Sequence, residues 1–330
     1  PHSREHIDTG FDIAGAVLSV LAVGGLVLAV QEGPEQGWTA TITLIGFVIG
    51  IAATVGFILV ELRRDHPLLD VRLFRNQGLT TGSVNLFVVF ALMFALFLIL
   101  IQFLQAILGY TALHAATGLL PMAVMMMPLS TVAPTIAHKI GYRRTVVTGM
   151  LTLAAGLTLL ALLADADRGY LSILPGLLLI GAGVGLAMSP STTAITSSLT
   201  EDKQGVASAL NDTVREIGAA MGLALIGSIL NSRFRTNITE LANTYPPETA
   251  ARIKEGIGGA LSTAAQLGPD GQPLVTAARN AYVDGMKPAL LIAAGLAIAA
   301  AAYTAWTGLR HHQLTTQHRD APESQPTLQP

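Results

Sequence analysis

The sequence contains no cysteine among its 330 residues. The protein can therefore form no disulfide bond, and it has no thiolate to act as a nucleophile or as a metal ligand. Charged residues are also scarce, at 12% of the chain, about half their usual share in soluble domains. A chain with these two deficits must hold its fold by packing apolar helices, and its composition is typical of a multi-pass membrane protein.

Two functional classes find little support in the sequence. No run of basic residues occurs and the net charge is −2, so a nucleic-acid-binding surface is not predicted. The eight histidines lie in predicted loops and tails, and the chain contains neither an HExxH motif nor paired aspartates within a span. An intramembrane enzyme, a metal site and a cofactor are therefore not predicted.

Apolar segments long enough to cross a bilayer recur eight times along the chain. They are predicted at residues 13–30, 41–62, 79–108, 115–136, 146–163, 170–188, 205–230 and 288–306. Between the last two, residues 231–287 form a long polar connection, in which 246–266 and 273–284 are predicted as short surface helices. The predicted fold class is an all-α, multi-pass transmembrane helical bundle.

Basic residues are distributed unevenly between the two sides of this bundle. Eleven of them lie on the side that holds the N-terminus, namely Arg4, Arg63, Arg64, Arg72, Arg75, Lys139, Arg143, Arg144, Lys203, Arg310 and Arg319. The short loops of the other side hold only Arg168. Because Lys and Arg concentrate in cytoplasmic loops, both ends of the chain are predicted to be cytoplasmic and the 231–287 connection to face outward.

The seventh span carries charge into the membrane. Its uncharged part, 217–230, extends roughly 21 Å as a helix, short of the roughly 30 Å hydrocarbon core, so the span must include the charged turns before it. Asp212 and Arg215 are spaced i,i+3, and Asn211 and Arg215 i,i+4, so these three side chains share one helix face. Two interpretations remain open: a paired group on a substrate path, or interfacial charges that reach the lipid headgroups.

Three amides in the third span also lie in an apolar setting, namely Asn85, Gln102 and Gln105. An amide without a partner in hydrocarbon costs a few kcal/mol, so these side chains are predicted to face a central cavity. Hydrogen bonding between helices is the alternative interpretation.

Glycines mark two helix faces for close packing. Gly218 and Gly222 continue the face of Arg215, and Gly181, Gly183 and Gly185 form a GxGxG run in the sixth span. This run lies inside an apolar span rather than after a strand, so close approach of helices is the better interpretation than nucleotide binding.

Four segments carry a resemblance to a known family. GVASALNDTVREIGAAMGLALIGS, YRRTVVTGM, IQFLQAILGYTALHAATGLLPMAV and ELRRDHPLLDVRLFRN together resemble the C-terminal part of fourteen-helix drug:proton antiporters of the major facilitator superfamily. The resemblance covers nearly the whole chain in order.

The resemblance implies a division of the chain. Residues 1–76 correspond to a linker helix pair with a cytoplasmic loop, and 77–310 to the C-terminal six-helix half, including the outward-facing loop 231–287. Residues 311–330 are polar and are predicted to be a disordered cytoplasmic tail. The chain opens PHSREHIDTG, with neither Met nor a signal peptide, so we expect a piece of a longer protein that lacks the first six helices.

The resemblance also implies a cytoplasmic loop motif and a function. In PTIAHKIGYRR, His138 stands where the family motif has Asp and Lys139 where it has Arg, whereas Gly141 and Arg143 match. The implied function is proton-coupled efflux of hydrophobic or amphipathic compounds across the plasma membrane, with small-molecule substrates, protons, membrane lipid and the absent N-terminal half as partners. The alternative is an accessory membrane subunit without transport of its own.

Overall fold

The chain folds into a bundle of α-helices, described by a computed structural model for residues 12–64, 71–165, 168–200 and 203–307. No strand occurs within these ranges. The helices are α1 (Ile13–Gln36), α2 (Thr41–Arg63), α3 (Gln77–Gln102), α4 (Ala112–Gly118), α5 (Leu120–Ile140), α6 (Tyr142–Leu163), α7 (Leu174–Thr196), α8 (Gln204–Ala242), α9 (Pro247–Lys254), α10 (Ile257–Leu267) and α11 (Gln272–Thr307). A 3-10 helix, Val71–Arg75, precedes α3, and a π-helical turn, Phe103–Ile107, ends it. The predicted tail 311–330 lies outside the described residues.

Eight segments of the described ranges are long and apolar enough to cross a membrane. They coincide with the eight predicted spans, and the prediction of an all-α multi-pass bundle is confirmed. In the sixth span, predicted at 170–188, the boundaries differ because α7 begins at Leu174 and continues to Thr196. Hydropathy misses the last two turns because they are rich in Ser and Thr, which a helix accommodates by bonding their hydroxyls to backbone carbonyls.

The connection 231–287 differs from its prediction. Helix α8 continues to Ala242. The prediction of a separate surface helix at 273–284 is wrong, because this segment is the first third of α11. Helix α11 passes through Pro288 without a break, because a proline inside a helix removes a single hydrogen bond, and packing on neighbouring helices compensates for it. That packing comes from a buried stripe at helical spacing, in which Leu274, Ala278 and Tyr282 face the bundle.

Helices α1 and α2 form a tight pair whose contact is lined by glycines. A Cβ added to Gly25 would meet the backbone of Gly50, and one added to Gly46 would meet the backbone of Ala29. The remaining spans pack mainly as α6 on α7 and α11, α3 on α7 and α8, and α5 on α7. Helix α1 joins the pair to the rest of the bundle by packing on α8.

Polar contacts fix this α1–α8 junction near the end of α1. Glu35 accepts a hydrogen bond of 2.6 Å from the Asn231 amide, and its other oxygen lies 3.6 Å from the Arg235 guanidinium. One turn earlier, the Ser228 hydroxyl lies 3.3 Å from the carbonyl oxygen of Val30. The ends of α1 and α8 that carry these residues therefore lie at the same side of the bundle.

A tyrosine secures the short helix α4 at the same side. The Tyr170 hydroxyl, which lies in the connection between α6 and α7, donates a 2.7 Å hydrogen bond to the carbonyl oxygen of Gly118. Burial raises the pKa of Tyr170, and the neighbouring Tyr110 adds to the effect. The hydroxyl therefore remains a protonated donor well into the alkaline range.

Candidate functional site

Helices α3 and α8 approach each other more closely than side chains would allow. A Cβ on Gly218 would meet the backbone of Phe87, and a Cβ on Gly222 would meet the backbone of Ala91. The two pairs are four residues apart on both helices, so α3 and α8 run parallel and in register. We call this contact the α3–α8 seam.

Arg215 lies on the seam, one turn before Gly218. Its guanidinium carbon lies 4.4 Å from the centre of the Phe90 ring, and its Nη1 lies 3.5 Å from Oδ1 of Asp212. The Phe90 ring stacks in turn on Phe94, with centroids 6.3 Å apart. The seam thus places a cation, a carboxylate and two aromatic rings beside one another.

All of these groups except the buried Phe90 ring are accessible from outside the bundle. The exposed fraction of the side chain is 42% for Arg215 and 66% for Asp212, and Phe94 is also exposed. An ion pair this loose contributes at most about 1 kcal/mol in water, whereas a desolvated cation over an aromatic ring contributes about 2 kcal/mol. Exclusion of water would therefore strengthen the contact of Arg215 with Phe90.

Asn211 completes the polar part of the seam. It is 8% exposed, and its Nδ2 lies 3.4 Å from Oδ1 of Asp212. Its buried Oδ1 has no hydrogen-bond partner among the described residues. Asp212 therefore lies within reach of both Asn211 and Arg215.

The three amides of the third span do not share a site. Asn85 is fully buried. Its Nδ2 lies 2.7 Å from the Thr304 hydroxyl and 3.5 Å from the Tyr142 hydroxyl, and its Oδ1 lies 3.0 Å from the Thr304 hydroxyl. These contacts join α3 to α11 and α6. At this position the geometry is that of the alternative interpretation, hydrogen bonding between helices.

Gln102 and Gln105 lie at the other end of the span, roughly 25 Å from Asn85. Gln102 is half-buried and lines a cavity of about 390 Å³ together with Asn231 and Tyr282. Gln105 is exposed in the π-helical turn. Gln102 is thus the one amide of the three that lines a cavity described in this bundle.

We expect Asn85→Leu to destabilise the protein by about 1–3 kcal/mol, because it leaves the buried Thr304 hydroxyl without its partner. The melting temperature of the purified protein in detergent measures this loss. Gln105→Leu, which removes an exposed amide from the same span, is the matched control and should leave the melting temperature nearly unchanged. Adding Thr304→Val to Asn85→Leu should recover part of the loss, since neither polar partner then remains buried alone. Equal melting temperatures for Asn85→Leu and Gln105→Leu would show that the amide bonds do not hold the helices together.

The GxGxG run of α7 lies between two neighbouring helices. Added Cβ atoms on Gly181 and Gly185 would meet the backbone of α5 at Met122 and Met126. A Cβ on Gly183 would instead meet the backbone of α6, at Leu153. All three glycines are buried, and α7 is the central helix of this group.

The predicted loop motif forms the joint between α5 and α6. His138 and Lys139 are exposed in the last turn of α5, and Arg143 is half-buried in the first turn of α6. Between them Gly141 has a φ of 93°, a conformation that other residues rarely adopt. The joint thus consists of a single glycine.

One pair of buried carboxylates was not predicted. Asp12, which caps α1, and Glu61, near the end of α2, are 5% and 2% exposed, and Arg64 lies 3.1 Å from Oδ1 of Asp12. Oxygen atoms of Glu61 and Asp12 lie 2.5 and 2.9 Å from the position that a Cβ on Gly15 would occupy. The available signal was Glu61 itself, a carboxylate within an apolar span.

The fold and the seam define a membrane-embedded helical bundle with polar groups at a helix contact, as transporters have. The chain belongs to the Major Facilitator Superfamily, whose family model matches residues 7–223. The multidrug efflux pump LfrA of Mycolicibacterium smegmatis is 31% identical over 303 residues, 92% of this chain and 60% of the relative. The tetracenomycin C resistance and export protein of Streptomyces glaucescens is 30% identical over 312 residues, 92% of this chain and 57% of the relative.

Two further comparisons agree with this assignment. The multidrug resistance protein Stp of Mycobacterium tuberculosis is 29% identical over 292 residues, 86% of this chain and 54% of the relative. The crystal structure of a bacterial homologue of the human lysosomal transporter Spinster, in an inward-facing and unoccupied conformation, matches with a TM-score of 0.52 and 17% identity, over 89% of this chain and 69% of that one. The chain thus spans a little over half the length of the curated relatives it matches.

Proposed function

We propose that this chain is the linker helix pair and the C-terminal half of a fourteen-helix exporter. In this proposal it works with a six-helix N-terminal half and exchanges protons for hydrophobic or amphipathic compounds across the plasma membrane. The observation that carries the proposal is the α3–α8 seam, where the accessible side chains of Arg215 and Asp212 lie beside each other and Arg215 contacts the buried Phe90 ring. The relatives named for drug efflux and antibiotic export support the direction of transport and the substrate class.

The seam supports a coupling step within this proposal. Arg215 lies about 15 Å along α8 from its first turn, deep enough that its charge needs a partner. We infer that the Arg215–Asp212 pair stabilises one conformation of the exporter and that protonation of Asp212 releases Arg215 from it. Proton binding would then change the relative stability of two conformations, which is the requirement for coupled transport.

Drug resistance of cells tests the proposed function against the accessory-subunit alternative. Cells would express this chain alone, the proposed six-helix N-terminal half alone, or both together, and growth would be measured against a panel of lipophilic antibiotics and dyes. We expect resistance only when both are expressed. If the upstream half alone conferred resistance and this chain only raised its amount, the accessory interpretation would stand instead.

The orientation of the chain is also a proposal and has its own test. A single cysteine at Thr244, in the exposed turn after α8, should react with a membrane-impermeant maleimide added to intact cells, because the 231–287 connection is proposed to face outward. A cysteine at Lys139, exposed in the last turn of α5, should react only after the cells are opened. Because the chain has no native cysteine, any maleimide label on it must be on the introduced residue. If Lys139→Cys were labelled in intact cells and Thr244→Cys were not, the chain would have the opposite orientation to the proposed one.

A further inference from the structure

The cavity of about 390 Å³ that Gln102 lines lies where the α3–α8 seam reaches the 231–287 connection. The seam continues to Gly227, where an added Cβ would lie 3.4 Å from the side chain of Leu98. Both residues line the cavity, together with residues of α10 and α11. The apolar walls are Leu98, Leu230, Phe234, Ile257 and Tyr282. A cavity of this volume with largely apolar walls is in the range of small-molecule sites, about 300–1,000 Å³.

Hydrogen bonds fix the walls of this cavity. The Tyr282 hydroxyl of α11 donates a 2.9 Å hydrogen bond to the carbonyl oxygen of Ile99 in α3. Nε of Arg279, one turn earlier on α11, lies 3.2 Å from the carbonyl oxygen of Ala106 in the π-helical turn. These bonds hold α11 against the turn that begins directly after Gln102. The cavity is therefore preformed, as ligand sites usually are.

Two oxygen acceptors border the cavity. Asn231 donates through Nδ2 to Glu35, and its Oδ1 lies 3.6 Å from the position that a Cβ on Gly256 would occupy at the cavity wall. The carboxylate of Glu255 lines the cavity as well, and it forms no hydrogen bond or ion pair with a described residue. Both acceptors are therefore available to a ligand that donates hydrogen bonds.

Glu255 also makes the rim of the cavity negative. It is the only charged residue among the described residues that line the cavity. Nearby, Lys254 donates a hydrogen bond to the turn after α8, Arg235 is paired with Glu35, and the exposed Arg252 forms no ion pair with Glu255. The N-terminus of α10 contributes about half a positive charge, less than the full negative charge of the carboxylate. An apolar cavity with a negative rim is complementary to an amphipathic cation.

We propose that this cavity is a second binding site, separate from the Arg215–Asp212 pair, and that its ligand is an amphipathic organic cation. The ammonium group of the ligand donates to Glu255 and Asn231, and its apolar body packs on Phe234. Asn231 lies about 24 Å along α8 from Arg215, so the two sites do not overlap. In the proposed orientation the cavity lies on the outer side of the membrane, where it binds a cation that has not entered the cell or has just left it.

Ethidium binding to the 330-residue chain tests this site. The chain would be held in nanodiscs of zwitterionic phosphatidylcholine, which offer ethidium no anionic lipid, and the fluorescence anisotropy of the dye would be titrated. We expect saturable binding to the wild-type chain. Glu255→Gln should raise the dissociation constant about fivefold, as expected for the loss of an ion pair that water still reaches.

Glu248→Gln is the matched control for that substitution. It removes an exposed carboxylate from the first turn of α9, the helix that ends just before Glu255, and Glu248 does not line the cavity. The dissociation constant for ethidium should therefore stay unchanged. Glu255→Asp keeps the charge and should retain most of the affinity.

A blocked cavity shows where the dye binds. Gly258 lines the cavity and is exposed, and a Cβ added there would meet no atom within 4 Å, so Gly258→Cys should fold and react with a maleimide. A bulky maleimide at this position should weaken ethidium binding at least about tenfold, because it occupies the space of the dye. The same reagent on Thr244→Cys, in the exposed turn after α8, should have no effect. This comparison also covers the case in which Glu255→Gln does not fold.

Four outcomes would overturn the proposal. They are no saturable binding to the wild-type chain, an unchanged dissociation constant in Glu255→Gln, an equal weakening in Glu248→Gln, and ethidium binding that survives modification of Gly258→Cys. The third outcome would mean that net charge alone attracts the dye, and the fourth that the dye binds elsewhere, for example at the seam. Because no transport is measured, the site can fail while the proposed export function stands, and the reverse also holds.

Discussion

Arg215→Ala should reduce proton-driven efflux by the complete transporter about five- to thirtyfold while leaving the amount of folded protein unchanged. The substitution removes both the contact with the Phe90 ring and the ion pair with Asp212. Together these interactions are worth about 1–2 kcal/mol in a desolvated setting, and each 1.4 kcal/mol that is lost between two conformations is a tenfold change. Arg215→Lys keeps the charge but stacks less well on the ring, so it should retain an intermediate rate.

The structure offers a matched control for this experiment. Arg168 and Asp165 form a second Arg–Asp pair with i,i+3 spacing, at 3.9 Å and with both side chains exposed. Arg168→Ala should leave efflux unchanged, because the connection between α6 and α7 does not touch the seam.

A double-mutant cycle tests whether the Arg215–Asp212 pair couples proton binding to transport or whether Arg215 only holds α8 at the lipid headgroups. If the pair couples proton binding to a conformational change, Asp212→Asn should also impair efflux, and the double mutant Asp212→Asn/Arg215→Ala should be less impaired than the two single effects predict. If both single mutants retained near wild-type proton-driven efflux, the coupling role of the pair would be rejected. Arg215 would then only hold α8 at the lipid headgroups.

The largest effect on folding is expected at Gly183. Gly183→Leu would place a side chain where the backbone of α6 lies, and overpacking of a helix contact costs about 3 kcal/mol or more when the helices cannot separate. Because α7 packs on α3, α5 and α6, it has no free side toward which to shift. We expect little or no monodisperse protein on size-exclusion chromatography.

Gly295→Leu is the matched control for that substitution. Gly295 lies in the span formed by α11, and a Cβ added there would meet no atom within 4 Å. The same change should be neutral or slightly stabilising at this position, because leucine favours the helix over glycine by about 1 kcal/mol. Equal yields of folded protein from Gly183→Leu and Gly295→Leu would contradict the packing described for α7.

The eight spans were predictable because the free energy of transferring a segment into a bilayer follows from the hydrophobicity of its residues. Hydropathy does not report helicity, which is why the polar last third of α8 and the first turns of α11 were assigned to a connection. Both segments are helices held by apolar stripes, for example Phe234 and Ile238 in α8. A polar helix that packs on its neighbours through such a stripe has the hydropathy of a loop.

The part of the candidate site that lies within a single helix could also be predicted from the sequence. The spacing of Asn211, Asp212 and Arg215 is local to one helix, so the sequence places them on one face. The contact of Arg215 with Phe90 joins two helices far apart in the chain, and so does the bond between Asn85 and Thr304. Such contacts depend on which helices pair and in what register, and a single sequence does not specify either.

Proton-driven uptake of a substrate into reconstituted vesicles is the most direct test of the proposed export function. This chain and the proposed six-helix N-terminal half would be reconstituted together and separately in liposomes with an acidic interior. Uptake of ethidium, a lipophilic aromatic cation, would be followed by fluorescence. We predict uptake only when both are present and only while the pH gradient lasts, so that a protonophore abolishes it. Equal uptake without this chain, or uptake that persists after the gradient has collapsed, would contradict its assignment as half of a proton-coupled exporter.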